Sequence, residues 1–392
     1  MKVDQIYEIA NELGSIYLGE KAITVTDATT LVDMGKAVID LDNLDRYVNA
    51  LIDRIGRVEF VSRVYGGTMP SLLMKDWEYG AILEKIGMAE LPDAERNETY
   101  NLVDRQSYDP NIFYQPKVMA KFFSKAETFD IPMSFAHEQI KTAFTTAGEI
   151  NSFFAMIENG INRSMTAKTE GIAQMALNTF MAAIFADNST NAGMRRVNLL
   201  SGYNTRYSKT LAAADAVTDP HFIRYATYIM RLYKKRMERL SVHFNIGGYD
   251  RFTPSGDSRL IWLSEFKEAA STFLYSGTYH DDYVHVMDGD SVPFWQGSGV
   301  GYDFASTSSI KVTLPHDISQ QGTTIEQSGI LAIMFDREAV SACNLRRWVT
   351  SNYNGRAEFY NNWYKWKIGY FVDTNEQGIV FYVEDPSEPG ED

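Results

Sequence analysis

Cysteine is all but missing from this chain: Cys343 is the single example in 392 residues. One thiol cannot close an intrachain disulfide, and a cysteine-rich metal site is excluded with it. A reducing compartment is therefore the expectation. Long apolar runs are missing too. No stretch reaches the roughly 18 uncharged apolar residues of a membrane helix, and Met1-Lys-Val-Asp-Gln-Ile-Tyr-Glu has no apolar core of signal-peptide length. The expectation is a soluble, unsecreted protein without membrane contact.

Positive charge is in deficit, with 37 Lys and Arg against 51 Asp and Glu and a formal net charge of -14. Such a surface repels phosphate, which argues against general nucleic-acid binding. Like-charged copies also repel one another, so any assembly must be held by buried apolar area and local complementarity. The sequence also lacks a Gly-x-Ser-x-Gly elbow, a Cys-His signature and a Walker-type glycine loop. The nearest approach, Gly297-Ser298-Gly299-Val300-Gly301, lacks a strand-glycine-helix context, as does Gly247-Gly248, and both read as turns. No enzymatic activity and no cofactor are expected.

What the chain does have is apolar material, 45% of its residues with 13% aromatic, enough for substantial cores. Ile6, Ile9, Leu13 and Ile16 recur at helical spacing over residues 4–17. A second short helix starts at Asp40 and Asp42, carries Leu44, Tyr47, Val48, Leu51 and Ile55, and stops at Gly56. Residues 57–130 then turn strand-like, in runs at 57–65 and 77–88 broken by Gly66-Gly67, Pro70, Pro92, Pro110 and Pro116. A projecting β-arm is the economical reading of a segment so long and so punctuated.

Between Glu149 and Phe185, Ile150, Phe153, Ile157, Ile161, Met165, Ile172, Met175 and Thr179 keep one helical face, interrupted by Gly160 and Gly171. At about 1.5 Å per residue the run reaches roughly 55 Å. Charges within it are sparse, which implies contacts on more than one side. Each glycine gives up roughly 0.5–1 kcal/mol of helix propensity. Either a close backbone neighbour or a useful bend is the expected compensation.

Asp219-Pro220 forms an N-cap and first turn for a helix through Phe222, Tyr225, Ile229, Leu232, Met237 and Leu240 to about His243, closed by Gly247-Gly248. Its Arg224, Arg231, Lys235 and Arg239 share one side. They read either as a solvated face or as a stripe toward an acidic neighbour or packaged DNA. A strand over 259–263 and a helix over 264–275 follow. His280-Asp281-Asp282-Tyr283-Val284-His285, with Asp288 and Asp290, is the densest set of metal-ligand side chains. It fits no ligand spacing rule and reads as a solvated loop.

The last quarter is the most distinctive part. An apolar strand, Ile330-Leu-Ala-Ile-Met-Phe, ends in an acidic turn at Asp336. A hairpin turning at Asn354-Gly355-Arg356 follows, with an aromatic second arm around Asn361-Asn362-Trp363. Gly378-Ile-Val-Phe-Tyr closes the set. The aromatics at 348, 353, 359, 360, 363, 364, 366, 370 and 371 place bulk on both faces of this sheet. The acidic residues 384–392 read as a frayed tail.

Arm helix, long β-excursion, spine-length helix, mixed central region and final aromatic sheet, in that order, resemble the Hong Kong 97-type major capsid proteins of tailed bacteriophages, small podophage-like head proteins among them. The resemblance implies an α+β fold divided into an N-terminal arm (1–56), an extended loop (57–132), a peripheral domain with the spine helix (133–187 and 325–385), an axial domain (188–324) and an acidic tail (386–392). It implies a structural protein of the virion, assembled in the bacterial cytoplasm. The shell would be icosahedral, made of pentamers and hexamers, enclosing double-stranded DNA without sequence-specific binding. A portal protein and a separate scaffold or decoration protein are the implied partners. An encapsulin-type nanocompartment shares the fold, and a metallohydrolase built on His280 and His285 is the alternative of another class. Candidate subunit contacts are Lys75, Trp77, Tyr79, Phe113 and Tyr114 in the loop, the Arg224, Arg231, Lys235 and Arg239 stripe, and Arg346, Arg347 and Trp363 in the final sheet. The resemblance makes Gly160 and Gly171 candidate hinges of the spine helix.

Overall fold

The computed structural model describes residues 83–88, 115–136, 147–276, 286–296, 308–316 and 322–385, with scattered positions elsewhere. The two N-terminal helices and the strand over 57–65 expected from the sequence lie outside these residues. In chain order the elements are β1 (Leu83–Met88), β2 (Val118–Phe123), β3 (Ala126–Ala136), α1 (Ala147–Ala186), α2 (Ala192–Arg195), β4 (Arg196–Asn198), α3 (Leu199–Tyr207), α4 (Ala213–Ala216) and α5 (Pro220–Met237). There follow β5 (Ser258–Leu263), α6 (Ser264–Ser276), β6 (Asp290–Val292), β7 (Ile310–Thr313), β8 (Thr324–Gln327), β9 (Ile330–Asp336), β10 (Val340–Asn354), β11 (Phe359–Val372) and β12 (Gly378–Tyr382).

The chain divides into two compact units. One holds Lys125–Ala173 and Ala342–Gly369, and the other holds Ile82–Ser124, Gln174–Ser341 and Tyr370–Asp392. The first contains the three-stranded sheet β10-β11-β3, whose long antiparallel pairing sets Trp366 opposite Phe129 and Tyr364 opposite Ile131. Along β11 one face is fully buried, with Tyr360, Asn362, Tyr364, Trp366 and Ile368, while the alternate residues are half-buried. Trp366 and Phe129 rings meet at 5.5 Å. The Asn354 Oδ1 accepts from the amides of Arg356 and Ala357 and shapes the turn between β10 and β11.

The second unit is organised by a five-stranded sheet, β4-β12-β9-β5-β6. Every residue of β9 is buried, as are Leu260–Leu263 and Gly378–Phe381. An unbroken apolar run of this kind marks a strand covered on both faces. The C-terminal half of α1 contributes one cover: Phe180 packs edge-on against Phe335 at 6.4 Å. At Gly378 a Cβ would come within 2.4 Å of the Phe180 ring, so glycine is what lets the helix approach β12. The other cover gathers α3, α5 and α6 around Phe222, Ile223, Met230, Phe266 and Trp262. Both edges of the sheet, β4 and β6, are three residues long.

The strands of the last quarter form as expected but are shared between two sheets, β10 and β11 in one and β9 and β12 in the other. Strand pairing across some 45 to 240 residues decides this, and the local pattern carries no trace of it. Helix α5 starts as expected, with the Asp219 side chain accepting from the His221 and Phe222 amides, worth roughly 1 kcal/mol. It stops at Met237, short of the expected His243, because Thr253 donates its amide to the Met237 carbonyl and a bridge between Ser241 and Arg251 takes over.

The long helix α1 runs 40 residues. Ile161, Met165 and Ile172 are buried as the spacing predicts, whereas Met175 is 41% exposed. From Met181 to Phe185 five consecutive residues are buried, in keeping with contacts on more than one side. Among the described residues an added Cβ at Gly160 or Gly171 would meet nothing within 4 Å, so no described neighbour accounts for either glycine.

Candidate subunit-interface surfaces

Strands β1 and β2 form an antiparallel hairpin with Glu84 opposite Phe122, Lys85 opposite Lys121 and Ile86 opposite Ala120. Successive residues alternate in burial on both strands. The outward face is the apolar one: Ile86 is 68% exposed, Met88 40%, Val118 60% and Phe122 63%. The inward face carries the two lysines. Like charges directly opposite one another destabilise a pair of strands, and Asp373 removes the conflict. Its Oδ1 lies 2.9 Å from Lys121 Nζ and its Oδ2 3.6 Å from Lys85 Nζ. Asp373 is only 3% exposed.

Around this carboxylate the hairpin is fixed to the body of its own unit. Lys85 also donates to the Glu338 carbonyl and lies 4.3 Å over the Phe371 ring, which packs against Phe123 at 5.3 Å. Lys121 reaches the Thr374 hydroxyl at 3.4 Å. Next to them Arg251 pairs with Glu376 at 3.4 Å. Burial pushes the Glu376 carboxyl up, Arg251 pulls it down, and the neighbouring Asp373 and Asp336 add to the rise. An isolated two-stranded hairpin is marginal in water, so these contacts are what hold an apolar face out toward solvent.

The basic stripe is present and exposed. Arg224, Arg231 and Lys235 lie on the outer side of α5 with Tyr228 among them, and Arg239 is exposed just beyond the helix. Lys235 pairs with Glu238 at 2.9 Å. Lys234, Lys235 and Arg236 occupy the last turn, where cations complement the helix dipole, so part of the stripe has a local role. Arg224 also lines a groove of about 700 Å³ between α3 and α5, walled by Tyr203, Tyr207, Tyr225 and Tyr228.

In the final sheet Arg346 is exposed and lies 5.0 Å over the Trp348 ring, while Arg347 and Trp363 are half-buried. Lys75, Trp77, Tyr79, Phe113 and Tyr114 fall outside the described residues, as do 277–285 with both histidines, Gly297–Gly301 and the tail beyond Asp385. Among the described residues no group of three metal-ligand side chains comes together. No helix among them is long and apolar enough to cross a membrane.

The sequence reading missed the hairpin's apolar face and its lysine anchor. The signal was available in the alternation of Leu83-Glu-Lys-Ile-Gly-Met and Val118-Met-Ala-Lys-Phe-Phe. The tyrosine groove was also missed, because Tyr203, Tyr207, Tyr225 and Tyr228 converge only when two helices pack.

A search of the curated proteins finds no match. Among solved structures the chain is similar to the head fibre and inner core structure of native bacteriophage P68, at 10% identity over 83% of this chain and 86% of that one, with a TM-score of 0.50. It is also similar to the capsid structure of Staphylococcus phage Andhra (12% identity, the same coverages, TM-score 0.49). A further likeness is to the capsid structure of the cyanophage P-SCSP1u (10% identity, 83% and 91% covered, TM-score 0.44). The architecture is the mixed helix-and-sheet Hong Kong 97-type fold. The model of the Phi29-like phage major capsid protein family matches residues 6–382, and the chain belongs to that family: it is a capsid protein, a self-assembling component of a phage virion.

Proposed function

We propose that copies of this chain form the pentamers and hexamers of an icosahedral shell around double-stranded DNA, assembled in the bacterial cytoplasm. A portal protein and a separate scaffold or decoration protein complete the assembly, and the chain itself performs no catalysis. The observation that carries this reading is the outward apolar face of the β1–β2 hairpin. Four large apolar side chains held in water by a salt-bridged base describe a surface awaiting a partner. A second copy is that partner.

The division into arm, extended loop, peripheral domain, axial domain and tail is part of this proposal. The hairpin belongs to the extended loop, and β9 and β12 move to the axial part because their sheet partners lie there. The basic stripe and Arg346, Arg347 and Trp363 serve as further contacts, the stripe toward an acidic neighbour. The spine helix flexes near Gly171. Three observations support that position: both compact units include part of α1, with the change at Ala173–Gln174; Thr169 donates to the Met165 carbonyl, a bond that tends to bend helices; and no described residue comes within 4 Å of a Cβ added at Gly171.

The test is an Ile86→Asp/Phe122→Asp variant expressed alone and with its neighbouring genes, imaged by negative stain. Folded, soluble subunits without shells are expected. Normal shells from the variant would sink the proposal.

A further inference from the structure

The route of the chain as it leaves β12 is set by two hydrogen bonds. The Glu384 carbonyl accepts from Asn198 Nδ2 at 3.0 Å, and the Asp385 carboxylate accepts from the Ala213 amide at 2.8 Å. Asn198 caps the start of α3 and Ala213 opens α4, so residues 384–385 run alongside the α3–α4 connection. That connection supplies Lys209, Thr210 and Leu211 to the wall of the tyrosine groove. It is held firmly, since Asn204 bonds both the amide and the carbonyl of Leu211. The chain therefore reaches position 385 two residues from the groove's own lining.

The groove has a definite chemistry. Tyr203, Tyr207 and Tyr225 pack within 6 Å of one another, and Arg206 lies against the Tyr207 and Tyr228 rings at 5.8 and 5.9 Å. Lys209 and Arg224 line it, and the one carboxylate lining it among the described residues, Asp219, is engaged by the His221 and Phe222 amides. It is an aromatic trough with cationic margins on a chain that is otherwise strongly anionic.

The residues that continue from the anchor have the complementary chemistry. Glu384-Asp-Pro-Ser-Glu-Pro-Gly-Glu-Asp392 holds five carboxylates and two prolines in nine residues. Pro386 and Pro389 are three apart, one turn of polyproline II, so both fall on one face of that helix. Proline pairs at this spacing dock in aromatic-lined grooves, with charged flanks adding specificity. At about 3.1 Å per residue, seven residues reach roughly 20 Å, ample to span the groove from Asp385.

We propose that residues 386–392 dock in the Tyr203–Tyr207–Tyr225–Tyr228 groove of their own subunit, prolines against the tyrosine rings and carboxylates toward Lys209, Arg206 and Arg224. The occupant is thus a segment of this chain, and the groove is closed to other partners while the tail lies in it.

The single native cysteine, Cys343, is buried, so introduced thiols report cleanly. The test is the full chain carrying Gly390→Cys with Thr210→Cys, treated with a short bismaleimide and compared with Gly390→Cys with Thr272→Cys on α6. Intrachain crosslinking at least fivefold faster for the groove pair is expected. It should slow to the control rate when Pro386→Ala and Pro389→Ala, or Arg224→Glu, are added, and it should slow in 1 M salt. Equal rates for the two pairs, or crosslinks that join separate chains, would overturn the proposal. Should the cysteine variants fold poorly, hydrogen exchange of residues 199–228 decides the matter in otherwise native protein. Exchange two- to threefold slower in the full chain than in a chain shortened to Asp385 is expected, and equal exchange would overturn it.

Discussion

The five-stranded sheet and the β1–β2 hairpin belong to the same compact unit and use opposite rules. The sheet buries its apolar strands on both faces, and its order is maintained by packing. The hairpin turns Lys85, Lys121 and the buried Phe123 inward and Ile86, Met88, Val118 and Phe122 outward, and its order is maintained by a buried carboxylate. One region stabilises the subunit at the expense of nothing outside it. The other holds apolar surface exposed that only a second molecule can cover. Stability and assembly are thereby carried by separable sets of residues.

That separation is open to attack at both ends. Phe335→Ala should cost the isolated subunit about 4 kcal/mol, because a buried aromatic leaves a cavity between α1 and β9. Denaturant unfolding of the soluble subunit checks this, and a loss below about 1 kcal/mol would mean the sheet is not the stabilising core.

Asp187→Ala comes next, at about 3 kcal/mol, since it strands Arg195, which is 2% exposed and otherwise donates to the His243 and Asn245 carbonyls. Burial raises the Asp187 carboxyl, but the bonds from Arg195 and Ser189 outweigh it and hold it below its ordinary 3.8. A depressed carboxylate contributes stability above the unfolded value and loses it as pH falls through the folded one. The variant should therefore show a shallower loss of stability than the parent as the pH falls below the ordinary carboxylate value of 3.8.

Asp373→Asn should cost about 2 kcal/mol, from two weakened charge-assisted bonds. The effect should be local: faster hydrogen exchange in 83–88 and 118–123 with the β9 amides unchanged. Uniform loss of protection would show that hairpin and sheet are one cooperative element. Gly171→Ala should stabilise the subunit by roughly 0.5–1 kcal/mol, since space for the methyl group is open and helix propensity improves. Particle shape or the yield of mature shells should change with it. Destabilisation without an assembly effect would make Gly171 a packing site.

The smallest effect on the subunit belongs to the hairpin face. Ile86→Ser or Phe122→Ser should move its stability by less than about 0.5 kcal/mol, as exposed positions usually do, while shell yield falls severely. A subunit strongly destabilised by either change would dissolve the contrast between the two regions.

Much of the fold was legible where a local pattern decides it. Helix α1, the Asp219 cap, β5, α6, β9 and the aromatic hairpin all follow from periodicity or turn chemistry within a few residues. Sheet membership was not, because β12 pairs with β4 across nearly 200 residues and with β9 across some 45. The same limit applies to the interface. Alternation in β1 and β2 is visible in sequence, but which face turns inward is decided by Asp373, 252 residues from Lys121. Of the contact residues expected from sequence, Arg224, Arg231, Lys235, Arg239 and Arg346 are exposed. Arg347 and Trp363 are half-buried, Trp363 on the face of β11 opposite the one that buries Tyr364 and Trp366.

The short margins of the five-stranded sheet acquire a meaning in this setting. A protein produced in many copies and crowded into a shell offers every neighbour repeated chances to pair backbone with backbone, and such pairing has no natural endpoint. With β4 and β6 only three residues each, a stray strand finds few amides and carbonyls to join at either margin. Growth by strand addition is starved at its start. What this unit offers a neighbour at the β1–β2 pair is a side-chain surface with a shape, which fits a partner in one orientation, where a long open margin of the five-stranded sheet would have invited backbone pairing in many registers.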